Sequence, residues 1–470
     1  MYDIQLFSPH LLLTLGILVC FVSGTIFKRP AGLYAVSLIS LLSAGIMGLI
    51  FYPAHGPEMA ALKPFLATGA LTSYFLPLVC GLGVGALLFF GPELKQEDRN
   101  HDDELYALFL TAVLGGLLLA GGQSWLAFFL GLELLSLPLY ILIGLRKDSG
   151  GNEASVKYFV MGATASGVLL FGIGLIYAGS GTLDIVSSLR APQGSGTVLL
   201  GLGMVLTGVA FKLSLVPFHL WAPDVYRGAP ESVSALLTSM VKAAVVGGLL
   251  RIALALGPEF WPATAPVLWG LAALTMVAAN LAALAQTSIK RMLGFSSAAH
   301  MGYLIMGVLC INEAGPGPVI FYATALAVMD LAAFGGLSLL NAGAEPVDSL
   351  ESLRGLGKAR PWGGILLAVG LTGLAGLPPT AGFTGKLLLF RSTIMGGYPW
   401  LGVIGILGAA LSVFYYLRPL AALYFEEREI TAARERLTVS GGVAIFLLLL
   451  LIIGLGLMPS PILQFMPIHP

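Results

Sequence analysis

The chain has 470 residues, 57% of them hydrophobic and only 10% charged, with a mean hydropathy of +0.91. A soluble domain carries about 25% charged residues, so this composition excludes an ordinary soluble enzyme, and a net charge of zero offers nucleic acid no basic surface. Cys20, Cys80 and Cys310 are isolated in apolar runs, without the spacing that binds zinc, haem or an iron–sulfur cluster, and neither a GxxxxGK[ST] nor a strand-borne GxGxxG phosphate loop is present.

Apolar runs of about 17–25 residues, the length a membrane-spanning helix needs, recur along the chain. They predict an all-α polytopic membrane protein of about fourteen spans, beginning near residues 9, 32, 74, 105, 124, 156, 197, 231, 263, 292, 317, 363, 400 and 438. The N-terminal MYDIQLFSPH lacks a basic n-region and a cleavage site, so the first helix is expected to be retained. The basic residues orient the set. Loops after odd-numbered spans carry fifteen: Lys28, Arg29, Lys95, Arg99, Arg146, Lys147, Arg227, Lys290, Arg291, Arg354, Lys358, Arg360, Arg428, Arg434 and Arg436. Loops after even-numbered spans carry three, Lys63, Arg190 and Arg391. The positive-inside rule then places both termini outside, in the periplasm for a bacterial inner membrane.

Two spans are interrupted. The seventh, VLTGVAFKLSLVPFHLW, contains Pro217, and the twelfth, VGLTGLAGLPPTAGFTGKLLLF, contains Pro378 and Pro379. Proline removes a backbone donor and clashes with the preceding turn, and non-helical backbone at membrane depth is tolerated only inside protein or along a hydrated cavity. The breaks lie about 162 residues apart, and Glu133 on the fifth span lies 167 before His300 on the tenth. Spans four to eight and nine to thirteen therefore read as two five-helix repeats. Because five is odd, the second is inverted, as in transporters with paired discontinuous helices. The expected divisions are a three-helix segment at 1–103, the first repeat at 104–256, the second at 257–425 and a final helix at 426–470.

A charged side chain at mid-bilayer costs roughly 2.5–3.5 kcal/mol on insertion scales, so each one needs a partner or a use. Glu133 lies in LGLELLSLPLY near the centre of a span. Lys212 precedes Pro217 by five residues, Lys242 is mid-span in the eighth helix, and Lys386 follows Pro379 by seven. Desolvation disfavours an ammonium and a nearby carboxylate favours it, so a lysine held between the two can load and release a proton. A unit pair about 4 Å apart gains roughly 4 kcal/mol at an effective dielectric of about 20, enough to decide the lysine's charge state. His300, whose side chain titrates near 6.5 in its free form, suits a relay between the halves, although a lone histidine is also a common core residue. His219, just past the first break, has the same two readings. Lys157, at the start of the sixth span, either takes part or snorkels to the interface with Glu153. Asp330 is deep in its span with no partner evident. Arg251 and Arg418 read as anchors at helix ends, Asp224 and Tyr226 as loop-positioning residues, and Glu93–Glu104 and Glu426–Arg436 as solvated faces.

The segments LGLELLSLPLYILI, NEASVKYFVMGATASG, FKLSLVPFHLWAPDVYRGAP, QTSIKRMLGFSSAAHMGYLIMG and LPPTAGFTGKLLLF resemble the antiporter-like membrane subunits of respiratory complex I. EASVKYF with WAPDVYRGAP resembles the subunit N branch most, over about residues 70–425, and no long extension of the subunit L kind follows the last span. The resemblance implies proton translocation coupled to NADH–quinone electron transfer. NADH, FMN, iron–sulfur clusters and quinone are then handled by other subunits, with no cofactor bound here and with neighbouring membrane subunits and lipid as partners. It implies that Glu133 and Lys212 form an acid–lysine pair, Lys242 a connecting lysine and Lys386 an outlet lysine, with Lys157, His219 and His300 at further ionisable positions. APESVSALL departs from the family, which often has a second Pro or Thr in place of Glu231-Ser232. Rival readings are a subunit of a multi-subunit Na⁺/H⁺ antiporter, a subunit of a membrane-bound hydrogenase-type complex and a quinone-binding module.

Overall fold

The computed structural model describes residues 2–27, 30–52, 65–95, 102–190, 195–341, 347–426 and 437–465. Seven of the basic residues that orient the spans (Lys28, Arg29, Lys63, Arg99, Arg428, Arg434 and Arg436) lie outside these ranges. Three helices lead in: α1 (Tyr2–Phe27), α2 (Pro30–Phe51) and α3 (Ala70–Lys95). The next group comprises α4 (Asp102–Gly121), α5 (Trp125–Ile143), α6 (Ser149–Ser180), the short α7 (Ile185–Arg190), α8 (Ser195–Lys212) and α9 (Trp221–Gly228). It ends in one long span built from α10 (Glu231–Leu236), a π-turn at Leu237–Val241 and α11 (Lys242–Ala255).

The chain then runs α12 (Trp261–Leu284), α13 (Ile289–Leu309), the single turn α14 (Ile311–Ala314), α15 (Gly317–Leu340) and the short α16 (Leu356–Ala359). It continues with α17 (Pro361–Ala375), α18 (Ala381–Met395) and α19 (Pro399–Phe425), followed by α20 (Val439–Leu457) and α21 (Ser460–Phe465). Thirteen helices among the described residues are long and apolar enough to cross a membrane, and α17 with α18 supplies the broken twelfth crossing.

The packing follows the same order in the two halves of the chain. Helix α4 packs on α5 as α12 packs on α13, and α6 on α8 as α15 on α17. Where α6 and α8 cross, a Cβ on Gly172 would meet the Gly201 carbonyl oxygen at 2.6 Å. Without hydrophobic drive between helices in lipid, such small residues let backbones approach closely enough for dispersion to hold them. Helix starts are fixed locally: Ser124, Asp148 and Ser288 each accept a backbone N–H three residues on, capping α5, α6 and α13.

Both expected breaks occur. The α8 helix stops at Lys212, Ser214 takes a left-handed conformation (φ 58°) and the Val216–Pro217 bond is cis. The α17 helix stops at Ala375 with Gly376 left-handed (φ 82°), and the Pro378–Pro379 bond is cis. Gly376 needs no Cβ in that conformation and ends the half-helix in the usual way. The span from Glu231 is buried without interruption to Leu250, and α13 from Met292 to Leu309, with only Arg251, Leu254 and Arg291 reaching the surface, so α10–α11 and α13 form the centre of the bundle.

Candidate functional site

The polar side chains of the central helices form a file. At its first station the Lys212 ammonium, 2% exposed at the end of α8, donates a 2.7 Å hydrogen bond to Ser136 Oγ on α5. It also lies 5.1 Å from the Tyr158 ring centre and 5.6 Å from that of Tyr140, within reach of a cation–π attraction. The direct contact expected between Glu133 and Lys212 is not made. Glu133 is half-buried on α5 and accepts a hydrogen bond from Ser166 of α6, while Ser136, one turn further along α5, takes the lysine.

From Lys212 an aromatic ladder leads inward. Tyr158 stacks on Trp221 at 4.5 Å, Trp221 meets Tyr226 edge-on at 6.0 Å, and Tyr226 lies 5.9 Å beneath the Lys242 ammonium. The Trp221 indole N–H donates to the Phe211 carbonyl at 2.9 Å, tying α9 to the end of α8. Lys242 follows the π-turn, a distortion that recurs at functional sites because it re-aims side chains. It donates to Ser297 Oγ at 2.6 Å and to the Ser297 carbonyl at 3.2 Å. Asp330 of α15 is buried like Lys242, and its Oδ2 has no hydrogen-bond partner among the described residues.

His300 lies three residues beyond Ser297 on the same face of α13. Its two ring nitrogens are held by Tyr322 Oη at 2.6 Å and Tyr416 Oη at 2.9 Å, and Tyr416 is bonded in turn to Ser296. The ring also lies 5.8 Å from that of Tyr303, one helical turn further along α13. Lys386 sits across the second break. It donates to the carbonyls of Leu374 at 2.9 Å and Ala375 at 3.0 Å, the last of α17, and lies 5.7 Å from the Tyr303 ring. A cation on the C-terminal carbonyls of a half-helix satisfies orphan acceptors and complements the helix dipole.

Two expected positions lie apart from this file. Lys157 is 41% exposed and pairs with Glu153 at 2.6 Å and with Asp224 at 3.0 Å. Asp224 also meets Arg291, so Asp224 links α6, α9 and α13 through surface charge. His219 is half-buried beside Phe295, with Nδ1 unpartnered. The expectation of a solvated face at Glu93 is corrected. Its side chain is 14% exposed and accepts from Arg146 at 3.1 Å and from the Ser232 amide at 3.1 Å. Positions 96–101 of that stretch, and 427–436 of the other, lie outside the described residues. Sequence reasoning also missed Tyr322, Tyr416 and Ser297, because a tyrosine or serine inside an apolar helix carries no sign of its partner. Arg251 and Arg418 do anchor ends: Arg251 donates to Thr72 Oγ1 and the Ala120 carbonyl, Arg418 to the Leu284 carbonyl. Among the described residues no three His, Cys, Asp or Glu side chains converge to hold a metal ion.

Residues 122–412 match the family described as NADH:quinone oxidoreductase/Mrp antiporter, TM. NADH-quinone oxidoreductase subunit N 1 of Solidesulfovibrio magneticus is 42% identical over 464 residues, covering 97% of this chain and 96% of the relative. A chain of respiratory complex I from Thermus thermophilus with bound aureothin superposes with a TM-score of 0.82 at 33% identity, over 97% of this chain and 98% of that one. A chain of an archaeal membrane-bound sulfane sulfur reductase superposes with a TM-score of 0.89 at 23% identity, over 98% and 96% of the two chains, a likeness of fold.

Proposed function

The chain belongs to the NADH:quinone oxidoreductase/Mrp antiporter membrane family, and from that premise we propose that it is a subunit N-type, proton-translocating membrane subunit of an NADH–quinone oxidoreductase. The observation that carries this reading is the buried succession Lys212, Lys242, His300 and Lys386, connected by hydroxyls and aromatic rings through the centre of the bundle. A static scaffold has no use for three buried lysines whose charges are met mainly by hydroxyls and carbonyls, because each ammonium gives up hydration that these partners only partly replace.

In this reading a proton enters the first repeat from the inside and reaches Lys212. It passes by the Tyr158–Trp221–Tyr226 region to Lys242, crosses Ser297 and His300 to Lys386, and leaves on the outside. Glu133 acts on Lys212 through space, and Asp330 does the same for Lys242. Glu133 is half-buried on the surface of α5, where a neighbouring membrane subunit would cover it and sense its charge. Lys157 and His219 belong to the margin of the path. The redox reactions, with NADH, FMN, iron–sulfur clusters and quinone, take place in other subunits. The two five-helix units at 104–256 and 257–425 form the two half-paths, and both termini face outside, in the periplasm of a bacterial inner membrane.

The test is proton translocation against NADH–quinone turnover in membranes carrying Lys212→Ala or Lys242→Ala, with assembly followed on native gels. Lost translocation in an assembled complex supports the reading. Unchanged translocation overturns it, and transport that required sodium would put the chain with the antiporters instead.

A further inference from the structure

The inside ends of the file-bearing helices meet in a buried ionic cluster that the lysine path does not use. Glu231, 1% exposed at the first position of α10, is bonded to Arg146 through Oε2 and to Lys290 through Oε1. Oε1 also accepts Asn341 Nδ2 at 2.6 Å. Arg146 reaches back to Glu93, whose second oxygen caps the backbone at Ser232. Two acids and two bases give a formal sum of zero, so the cluster holds no surplus charge in a site where an unpaired ion would be expensive.

Its members come from different helices, and those helices carry the stations. Arg146 follows α5, which holds Glu133 and Ser136; Glu231 opens the span that holds Lys242; Lys290 is in the first turn of α13, which holds Ser297 and His300; Asn341 ends α15, which holds Asp330. The Lys242 span and α13 are thus pinned to one another at two levels: Glu231 with Lys290 at the inside end, and Lys242 with Ser297 deeper, roughly 16 Å further along the Lys242 span and roughly 10 Å further along α13 at about 1.5 Å per residue. Two fixed points set both the register and the rotation of one helix against the other. The π-turn between them changes the helical phase, and so sets which face of the span Lys242 presents.

We propose that Glu231 is a positioning residue for proton transfer at Lys242: its carboxylate, shared between Arg146 and Lys290, tethers the Lys242 span to α13 and α5 and keeps Lys242 aligned with Ser297 and His300. This rests on the proton-path reading above. The carboxylate touches no proton of the path. It acts by holding the two helices in register, so its loss uncouples translocation from turnover and not turnover itself.

The test compares protons moved per quinone reduced in assembled complexes carrying Glu231→Gln, Glu231→Asp, Glu231→Gln with Lys290→Met, and Lys242→Ala. Glu231→Gln is expected to lose translocation to the extent that Lys242→Ala does, while Glu231→Asp, which keeps the charge, retains it. The double variant removes both charges of the inner pair and leaves Arg146 with Glu93, so it restores neutrality without restoring the tether. It is expected to assemble like the parent and still translocate poorly. Parental translocation in Glu231→Gln or in the double variant, beside a defective Lys242→Ala, overturns the tether and leaves the lysine path standing. Failure of every Glu231 variant to assemble also overturns it, because the cluster would then serve folding alone. Parental translocation in Lys242→Ala removes the path reading itself.

Discussion

Lys386 donates a 2.9 Å hydrogen bond to the carbonyl oxygen of Leu374, across the break that separates α18 from α17. The lysine therefore closes the interrupted helix as well as carrying charge, since Ala375 O is bonded by the same ammonium at 3.0 Å. Lys386→Met keeps the length and apolar stem but leaves both carbonyls without that donor. Losing a charged hydrogen bond of about 1.5–3 kcal/mol should loosen the second break without unfolding a bundle of this size. The expected result is an assembled complex with proton translocation abolished and NADH–quinone turnover slowed. Lys386→Arg should restore much of the structural contact but not the transfer, because a guanidinium does not release its proton. Translocation by the arginine variant at the parental rate would reduce Lys386 to a helix clasp.

The His300 ring is held at both nitrogens by tyrosine hydroxyls, Tyr322 at 2.6 Å and Tyr416 at 2.9 Å. One of the two nitrogens of a neutral imidazole donates and the other accepts, so the two hydroxyls fix the tautomer between them and can reverse it together. Tyr322→Phe removes one partner and leaves a buried ring nitrogen unpaired. If the lost hydrogen bond, about 1 kcal/mol net, falls on the transfer barrier, translocation slows several-fold to about tenfold. Tyr416→Phe should act in the same direction, with an added cost because Ser296 also loses its partner. Stopped-flow acidification with a pH-sensitive dye in vesicles would read both. Equal rates in the parent and in the doubly substituted protein would make His300 a core residue.

Ser136, rather than Glu133, is the side chain in contact with Lys212. Ser136→Ala should therefore impair translocation through the loss of a buried hydrogen bond, while Ser166→Ala acts at a distance by freeing Glu133 to turn on the α5 surface. Glu133→Gln removes the through-space charge and leaves the Ser136 contact intact. Its effect should shrink with added salt less than that of a surface pair would, because the file is buried and poorly screened. Measuring the three variants at two ionic strengths separates contact from field. A Ser136→Ala variant that matched the parent throughout would show that the hydroxyl only fills space.

What could be read from the sequence, and what could not, follows from how each feature is encoded. Proline and a lone charge leave marks that survive without neighbours: Pro217, Pro378 and Pro379 announced both breaks, and Lys212, Lys242 and Lys386 stood out from apolar surroundings. Partnership leaves no such mark. Tyr322 and Tyr416 sit in largely apolar helices, where an aromatic is most simply a core residue, and only the folded bundle brings them to His300 from 22 and 116 positions away. Glu93, Arg146 and Lys290 lie at the ends of apolar runs, where charge ordinarily means solvent, yet their helix ends converge on Glu231. The contact of Lys212 with Ser136 in place of Glu133 turns on one helical step along α5, finer than spacing arguments resolve.

Gly382, in the first turn of α18, faces the carbonyl of Gly373 in α17, and a Cβ built on it would overlap that oxygen. The two half-helices of the second break can lie this close only because position 382 has no side chain. Gly382→Ala must push them apart, and the displaced element is the carbonyl end that receives Lys386. Since the obstacle is backbone, it cannot be relieved by a rotamer change, and overpacking of this kind costs about 1–3 kcal/mol. The expected outcome is a complex that assembles at reduced yield, melts earlier and has lost proton translocation out of proportion to its loss of stability. Ala381→Gly, one residue earlier in the same turn, removes a methyl from a buried site and adds backbone entropy to the unfolded chain without driving the halves apart. It should lower stability while sparing translocation per assembled complex. Thermal stability of the purified complex, set beside translocation per complex, distinguishes the two variants. If both lost translocation in proportion to stability, the close approach at Gly382 would matter to folding and not to the position of Lys386.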